Sequence, residues 1–459
     1  MKFSRSTTTK ALTSVLALGL AAACAPGGDD AESADGEKLT LSVVSLVPGS
    51  EAEAFAAFDE RVAAFEAANP DIDVESEEYE WEAATFASQL AGGTLPDVFE
   101  IPLTDAKTLI ANGQLANLQE EFSTLPYADQ FNKELLEAGK DDAGEVYAIP
   151  AKSIYGVALH YNRALFQQAG LDPDSPPTSW DQVREYAKQI KTATGVPGYA
   201  TIAASNAAGW QLAAATYARG GRLQEVDGDT VTATVDNDAT HDHLEFLKAL
   251  RWEDDSILAD TTLSWETANQ AFAAGQFAMY TSGSDIYNTL VENYATTGED
   301  YGLTAIPLDG DDAGVLAGGT MAAVGAEVDE ETQAAAVKWI DFFYLSNLLD
   351  EEQAIANAEV RAANNQTVGT PVLPIFSREQ YETANEWVAQ YINVPLEQME
   401  GYTSVMFDQP VVGEPSVKGQ DTYAALEVPI QSVLTDANAD VEGLLETANQ
   451  DVQTLLDEG

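Results

Sequence analysis

The residues that most often carry catalysis or bind metals are scarce in this chain. Its 459 residues include three His, at positions 160, 241 and 243, and one Cys, at position 24. His241 and His243 stand two apart, so on a helix they point in different directions, and we expect a solvated surface there rather than a metal pair. Ser282-Gly283-Ser284 does not supply the G-x-S-x-G turn of a serine hydrolase. We therefore expect no metal site and no cofactor, and few side chains that could act as a general base.

Carboxylates, by contrast, are abundant. Asp and Glu number 76 against 21 Lys and Arg, which gives a formal net charge of -55. That charge repels phosphate backbones and anionic lipids, so nucleic-acid binding and polybasic membrane binding are excluded. Hydrolysis of a glycoside needs only two suitably placed carboxyl groups. Among so many acids such a pair is always available, so a secreted glycosidase stays open as the enzymatic alternative.

The first 24 residues have the layout of an export signal. Three basic residues precede the weakly polar to apolar run from 11 to 23, which is shorter than the roughly 20 residues that a membrane span needs. The run ends at Ala21-Ala22-Ala23-Cys24, which resembles a bacterial lipobox with Ala21 where the motif prefers Leu. We predict a signal peptide over 1–23, lipidation of Cys24 and a flexible tether over 24–38. The protein would then be lipid-anchored at the cell membrane, on its extracytoplasmic face.

Strand and helix signals alternate from residue 39 onward. A β-rich run over 39–47 leads into a helix that stops at Asn69-Pro70, and an alternating strand covers 72–79. A second helix ends at Gly92-Gly93, before a short buried strand over 96–101. This order predicts parallel βαβ pairing, and the length of the chain suits two lobes. Ligands of parallel sheets bind beyond the carboxyl ends of the strands, which nominates the loops at 48–51, 79–83 and 100–105.

Helical patterns return later in the chain. They cover 180–190, 242–252, 268–274, 332–345 and 441–456, and Pro177-Thr178-Ser179 opens the first of them. Trp180, Trp252 and Trp339 lie on these patterns. We interpret all three as core packing.

Several short motifs occur in a characteristic order. The most specific are GEVYAIP at 144–150 and HYNRALF at 160–166, followed by PTSWD at 177–181 and AFAAGQFAM at 271–279. Together they resemble the extracellular solute-binding protein family 1, the sugar-binding lipoproteins of ABC importers that include maltose-binding proteins. The similarity extends from Leu39 to Leu456.

This resemblance implies an α/β fold of the periplasmic-binding-protein type, with two lobes joined by a hinge. It implies a non-catalytic monomer that captures a sugar or oligosaccharide and delivers it to the transmembrane subunits of an ABC permease. A binding protein for a non-sugar solute such as a polyamine stays open as an alternative, because acids and aromatics would suit that ligand as well. The implied lobes are 39–152 with 317–345, and 153–316 with 346–459.

Sugar recognition combines aromatic faces, which pack on pyranose C–H groups, with planar polar groups that hydrogen-bond hydroxyls. Trp81 follows a strand and is flanked by two Glu, while Tyr155, Trp210 and Asp285 stand where the family places ligand groups. Tyr287 replaces the aromatic that the family has beside Asp285. The predicted ligand-binding residues are Glu51, Trp81, Glu100, Asp105, Tyr155, Trp210, Asp285, Tyr287, Gly319 and Thr320.

Overall fold

The structure is a computed structural model that describes residues 38–48, 50, 52–227, 230–294 and 296–458. The predicted signal peptide, Cys24 and Glu51 lie outside the described residues, as does the predicted tether apart from Lys38. No helix in the described ranges is long and apolar enough to cross a membrane.

The strands fall into one large mixed sheet and one hairpin. In the large sheet the order is β2-β1-β3-β9-β4-β7, with β10 beside β9 and β8 beside β4, while β5 and β6 form the hairpin. The strands are β1 Leu39–Val44, β2 Ile72–Glu77, β3 Val98–Pro102, β4 Ala148–Asn162, β5 Gln224–Asp227, β6 Thr230–Ala233, β7 Met279–Gly283, β8 Tyr301–Ala305, β9 Val315–Val324 and β10 Val411–Gly413.

Helices cover both halves of this sheet. They are α1 Ala52–Ala68, α2 Ala83–Ala91, α3 Leu103–Ala111, α4 Gln119–Phe122, α5 Lys133–Glu137, α6 Arg163–Gln168, α7 Trp180–Thr194, α8 Asn206–Ala218, α9 Asp238–Trp252, α10 Trp265–Ala273, α11 Tyr287–Tyr294, α12 Glu330–Ile340, α13 Ser346–Leu349, α14 Glu351–Ala363, α15 Arg378–Trp387, α16 Glu400–Thr403, α17 Gly419–Ala425, α18 Glu427–Thr435 and α19 Val441–Asp457.

The predicted βαβ start of the chain is confirmed. β1 pairs in parallel with β2 along its whole length and with β3 at Val43 and Val98. Leu41 and Val43 are fully buried because their side chains share the face of β1 that the helices cover. The parallel pairing brings the carboxyl ends of these three strands to one edge of the sheet.

Strands β4 and β9 run through both halves of the molecule. β9 pairs with β10 over 315–317 and with β3 over 320–324. β4 pairs with β9 over 148–156 and with β7 and β8 over 157–162. The register of β4 against β9 shifts twice between Pro150 and Tyr155, and these bulges bend both strands between the two halves.

The hydrophobic cores lie on either side of these bulges. One core joins β1 and β3 to α12, where Trp339 meets the ring of Phe65 edge-on at 5.2 Å. A second packs α7, α8 and α9 on one face of β4, and a third covers the opposite face of that strand. Residues 373, 375 and 376 pack in the first core. The lobe boundaries stay a prediction.

The helix predicted to open at Ser179 is confirmed as α7. The Ser179 hydroxyl accepts a hydrogen bond from the Gln182 N–H at 3.2 Å, which caps the first turn. Trp180 and Trp339 are buried, as predicted. The prediction for Trp252 is wrong, because this last residue of α9 is 39 % exposed. Its indole N–H donates to the Val433 carbonyl at 2.8 Å, and the Arg251 guanidinium lies over its ring.

The prediction that both His of the His241-x-His243 pair face solvent is wrong for His243. That ring is buried against Trp180 and stacks on Phe246 at 5.5 Å. Burial lowers the pKa of His243 far below its usual range, and the nearby Arg219 charge lowers it further. The two-residue spacing correctly predicts that the two side chains point in different directions. It does not predict which of them points into the core.

Candidate ligand-binding site

The carboxyl ends of β1, β2 and β3 border a cavity of about 350 Å³. Three predicted ligand residues, Trp81, Glu100 and Thr320, line it, together with Tyr79 and Lys152. The loops that follow parallel strands meet at such an edge, which is why residues distant in sequence gather here.

The residues around this cavity form the first wall of the site, and Glu100 is held in place within it. Lys152 Nζ lies 2.7 Å from Glu100 Oε1, and the Tyr344 hydroxyl donates to the same oxygen at 2.8 Å. The Tyr79 hydroxyl donates to the Glu100 carbonyl at 3.0 Å. The carboxylate is thus paired with a cation and held in one orientation, while it keeps lone pairs for a further donor.

Asp105 stands in the first turn of α3, directly after β3. The Thr104 hydroxyl donates to Asp105 Oδ1 at 3.3 Å. Burial raises the pKa of Asp105 to about 6; Thr104 and the Trp81 indole act against that rise, and the charge of Asp421 adds to it. Asp105 and Trp81 are therefore neighbours.

The second wall is built from aromatic rings. Tyr155, on β4, meets Trp210 of α8 edge-on with ring centroids 5.9 Å apart, and Trp210 meets Trp265 in the same way at 5.3 Å. Asp285 follows β7 beside this cluster. Burial is the main cause of the raised pKa of Tyr155, and the charge of Asp285 raises this pKa further. Burial raises the pKa of Asp285 itself to about 6.

Two glycines make room for the ring of Tyr155. A Cβ at Gly318 would lie 2.4 Å from the Tyr155 hydroxyl oxygen, and one at Gly283 would lie 3.0 Å from its ring and 2.7 Å from Asp285 Oδ1. All three distances are below ordinary van der Waals contact, so any larger residue at either position would displace the tyrosine. Gly318 and Gly283 therefore position Tyr155.

Glu414 completes this wall, although it is not among the ligand-binding residues predicted from the sequence. It follows β10 and accepts a hydrogen bond from the Tyr423 hydroxyl at 3.1 Å. Burial raises the pKa of Glu414 to about 8, and the charge of Asp105 adds to this effect. No local sequence pattern predicts that Glu414 lies in the site. Its position depends on the pairing of β10 with β9, a strand about 95 residues earlier in the chain.

The two walls face each other. Gln420 Nε2, at the start of α17, donates to Thr104 Oγ1 of α3 at 3.0 Å. The charge of Asp421, from one wall, raises the pKa of Asp105, from the other, and the charge of Asp105 raises the pKa of Glu414. We call the space between these walls the cleft; its principal side chains are Trp81, Asp105, Tyr155, Trp210, Asp285 and Glu414.

Two indole N–H groups in the cleft lack a hydrogen bond of normal geometry. Trp81 Nε1 and Trp210 Nε1 are both buried and have no such partner among the described residues. They lie near Asp105 and Glu414 respectively, whose pKa values they lower. A buried donor without a partner is costly, so each is a donor that a ligand oxygen would satisfy.

The remaining predicted residues are not all brought together. Thr320 and Gly319 lie on β9 between the walls, and Gly319 has a φ of 156°, with Ile154 packed against it. Tyr287 lies apart in the third core, 4 % exposed, with its ring 4.5 Å from that of Tyr301. Glu51 lies outside the described residues.

The cleft therefore offers aromatic faces, two indole N–H donors and three carboxyl groups. No Lys or Arg makes a salt bridge to Asp105, Asp285 or Glu414 within the described ranges. Such a surface suits a hydroxyl-rich ligand and repels an anionic one. No group of His, Cys, Asp or Glu in the described part of the chain is arranged to hold a metal ion.

A model of the bacterial extracellular solute-binding protein family matches residues 60–359. The chain belongs to this family. UgpB of Salmonella typhimurium, an sn-glycerol-3-phosphate-binding periplasmic protein, is 24 % identical over 324 residues, which cover 67 % of this chain and 71 % of UgpB. UgpB of Escherichia coli K12 is 25 % identical over 295 residues, covering 61 % and 65 %.

Solved structures share the fold. A solute-binding protein from Thermotoga lettingae, bound to alpha-D-tagatose, has a TM-score of 0.71 at 18 % identity and covers 91 % of this chain and 100 % of its own. The GacH receptor of Streptomyces glaucescens has a TM-score of 0.71 at 21 % identity, covering 92 % and 99 %. UgpB from Mycobacterium tuberculosis, in complex with glycerophosphocholine, has a TM-score of 0.70 at 19 % identity, covering 91 % and 98 %.

These matches confirm two predictions from the sequence. The family is that of extracellular solute-binding proteins, and the fold is the two-lobe α/β fold of periplasmic binding proteins. The function as a solute-binding protein follows from the family.

Proposed function

We propose that this protein is the extracytoplasmic substrate-binding component of an ABC importer and that its ligand is an uncharged sugar or oligosaccharide. The ligand binds in the cleft, between Trp81 and Asp105 on one side and Tyr155, Trp210 and Glu414 on the other. The closed protein then delivers it to the transmembrane subunits of the permease.

The observation that carries this proposal is the combination in the cleft of aromatic rings with carboxyl groups that form no salt bridge to a Lys or Arg of the described residues. Pyranose rings present an apolar C–H face, which packs on Trp and Tyr, and hydroxyls, which hydrogen-bond carboxyl oxygens. The indole N–H groups of Trp81 and Trp210, which make no hydrogen bond of normal geometry to a described residue, would donate to ring or hydroxyl oxygens.

The same cleft is a poor site for a phosphate ester. Lys152 is the one cation that borders its first wall in the described residues, and Glu100 already neutralises it at 2.7 Å. Phosphate recognition depends on Arg, Lys or converging backbone N–H groups. We therefore infer that the ligand differs from the sn-glycerol-3-phosphate that names the UgpB relatives.

Neighbouring structures support a sugar ligand. The T. lettingae protein was solved with alpha-D-tagatose, and an Arthrobacter globiformis protein of the same fold binds cyclic alpha-maltosyl-1,6-maltose. Both ligands are carbohydrates, the class that the aromatic and carboxyl groups of the cleft favour.

Several further features belong to the proposal. The protein acts as a monomer and without catalysis, and Cys24 anchors it through lipid to the extracytoplasmic face of the membrane. The lobes comprise 39–152 with 317–345, and 153–316 with 346–459. The hinge lies where the bulged strands β4 and β9 cross between them.

Thermal-shift screening tests the proposed ligand class. The panel contains mono- and oligosaccharides, spermidine, sn-glycerol-3-phosphate and glycerophosphocholine. A ligand that binds only the folded form at a hundred times its Kd stabilises it by about 2.7 kcal/mol. We expect such a shift with at least one sugar. Chromatography of that sugar after incubation with the protein should show that it is not hydrolysed. A shift with a phosphate compound and no sugar, or hydrolysis of the sugar, would overturn the proposal.

A further inference from the structure

A second cavity, of about 490 Å³, shares Lys152 with the first wall of the cleft and continues away from Tyr155 and Trp210. Its wall is formed by residues 151–154 of β4, by Phe343 and Tyr344, and by side chains of α13, α14 and α15. The cavity therefore adjoins the bulged segment of β4 that connects the two halves of the molecule.

This cavity and the aromatic wall of the cleft lie on opposite faces of β4. A Cβ at Gly156 would point to Leu373 Cδ1, 3.4 Å away, and Leu373 lines the cavity. The preceding residue, Tyr155, points instead to Trp210. Successive side chains of a strand project to opposite faces, so a molecule in the cavity would not contact Tyr155 or Trp210.

The charge of the cavity wall is the reverse of the charge of the chain. Arg61, Lys152 and Arg361 line it, and none of the described residues in its wall is Asp or Glu. The chain as a whole has 76 acidic residues against 21 basic ones. Lys152 and Arg361 have acidic partners outside the wall, namely Glu100 at 2.7 Å and Glu292 at 3.3 Å.

Arg61 has no carboxylate partner within the described residues. Its Nη2 donates to the carbonyls of Phe342 and Phe343 at 3.2 and 2.7 Å, and its guanidinium carbon lies 4.5 Å above the Phe343 ring. These contacts fix the guanidinium in one place but leave its charge uncompensated. Burial accordingly lowers the pKa of Arg61. A half-buried cation without a counter-charge loses part of its hydration, and a bound anion would offset that cost.

The rest of the wall suits an apolar body with polar groups at its rim. Ile154, Phe343 and Leu373 supply apolar surface. Asn347 and Asn357 also line the cavity, and their side-chain amides make no hydrogen bond to another described residue. These amides could donate to acceptor atoms of a bound molecule.

We propose that this cavity is a second binding site, which takes a small organic anion with an apolar body and pairs its acidic group with Arg61. The proposal does not depend on what binds in the cleft. The net negative charge of the protein repels anions. Binding of an anion would therefore show that the positive charge of the cavity lining outweighs this repulsion.

The probe for this site is 8-anilinonaphthalene-1-sulfonate, a sulfonate on an apolar ring body. We expect saturable fluorescence enhancement with the folded, full chain at fixed ionic strength. Asn357→Asp places a negative charge in the wall and should weaken binding about tenfold or more. Asn364→Asp makes the same change at the exposed end of α14, outside the wall, and should leave the affinity within about twofold.

Three outcomes would overturn the proposal. The first is an absence of saturable binding to the wild type. The second is an equal effect of the two Asp variants, which would mean that only the net charge matters. The third is loss of binding in Trp210→Ala but not in Asn357→Asp, which would place the probe in the cleft.

If Asn357→Asp does not fold, a second pair of variants carries the test. Ala384→Phe fills the cavity from α15, and Ala363→Phe adds the same ring at an exposed position of α14. We expect only Ala384→Phe to weaken the probe, by about tenfold. Equal binding by both variants would refute the site.

Discussion

The carboxyl group of Glu414 links the cleft to stability in a way that can be measured. Burial raises its pKa from 4.5 to about 8, and Asp105 adds to the rise, while Tyr423 and Trp210 act against it. The unfolded chain ionises Glu414 near the lower value. Between these two pH values the folded protein holds a proton that the unfolded chain has released, so stability present at pH 4.5 is lost as the pH rises toward 8.

The difference between the two pKa values sets an upper bound of about 5 kcal/mol on this loss. Separation of the two walls would hydrate the carboxyl group and reduce the effect, so we expect about 1–3 kcal/mol. Glu414→Gln cannot ionise and can still accept the hydrogen bond from the Tyr423 hydroxyl. Its free energy of unfolding should exceed that of the wild type by about 1–3 kcal/mol at pH 8, and by less than about 0.5 kcal/mol at pH 4.5.

Urea unfolding at pH 4.5, 6 and 8 measures this difference. Glu359→Gln, on the exposed face of α14, is the matched control for the loss of one negative charge. We expect its curves to follow those of the wild type at every pH. The reasoning would be refuted if the free energies of unfolding of Glu414→Gln and the wild type differed by the same amount at pH 4.5 and at pH 8. The carboxyl group would then not titrate in this interval.

Three further predictions concern the anchor, the surface charge and the hinge. Cys24→Ser should release the protein into the medium and abolish labelling with a fatty acid; wild-type protein that takes up no label would contradict the lipid anchor. Cleavage before Cys24 removes three of the 21 basic residues and none of the 76 acidic ones, leaving a formal charge of -58. Because added salt screens repulsion among these acids, the Tm should rise between low and molar NaCl, and a flat or falling Tm would show that repulsion does not limit stability. Gly318→Ala should lower the free energy of unfolding by about 1–3 kcal/mol, because its Cβ would clash with the Tyr155 hydroxyl, whereas Gly413→Ala, with open space at its Cβ, should be close to neutral; equal effects in denaturation would disprove the contact.

The sequence predicts those parts of the fold that carry local signals. The alternation of β1, α1, β2, α2 and β3 follows from short apolar periods and turn residues, and α7 follows from the cap at Ser179. Trp81 and Asp105 could be nominated because they lie in the loop or helix start shortly after the ends of β2 and β3. Each of these assignments depends on neighbouring residues alone.

The second wall of the cleft depends on contacts between distant segments. Glu414 reaches it because β10 pairs with β9, and Val411–Gly413 is too short to be recognised as a strand from its own residues. Tyr287 is nominated from local sequence but packs in the core instead. An aromatic residue near a predicted turn can point either into the core or toward a ligand. The direction in which it points is set by the packing around Tyr301, which no local pattern encodes.

Titration calorimetry with the sugar identified by screening tests the central claim most directly. Trp81→Ala and Trp210→Ala should each weaken binding by about 2–4 kcal/mol, a loss of 30-fold or more, as expected for buried aromatic contacts. Trp180→Ala, which removes a core residue remote from the cleft, should lower the Tm and leave the affinity of the folded fraction unchanged. If Trp81→Ala and Trp210→Ala both fold and bind as tightly as the wild type, the ligand does not occupy the cleft between these walls.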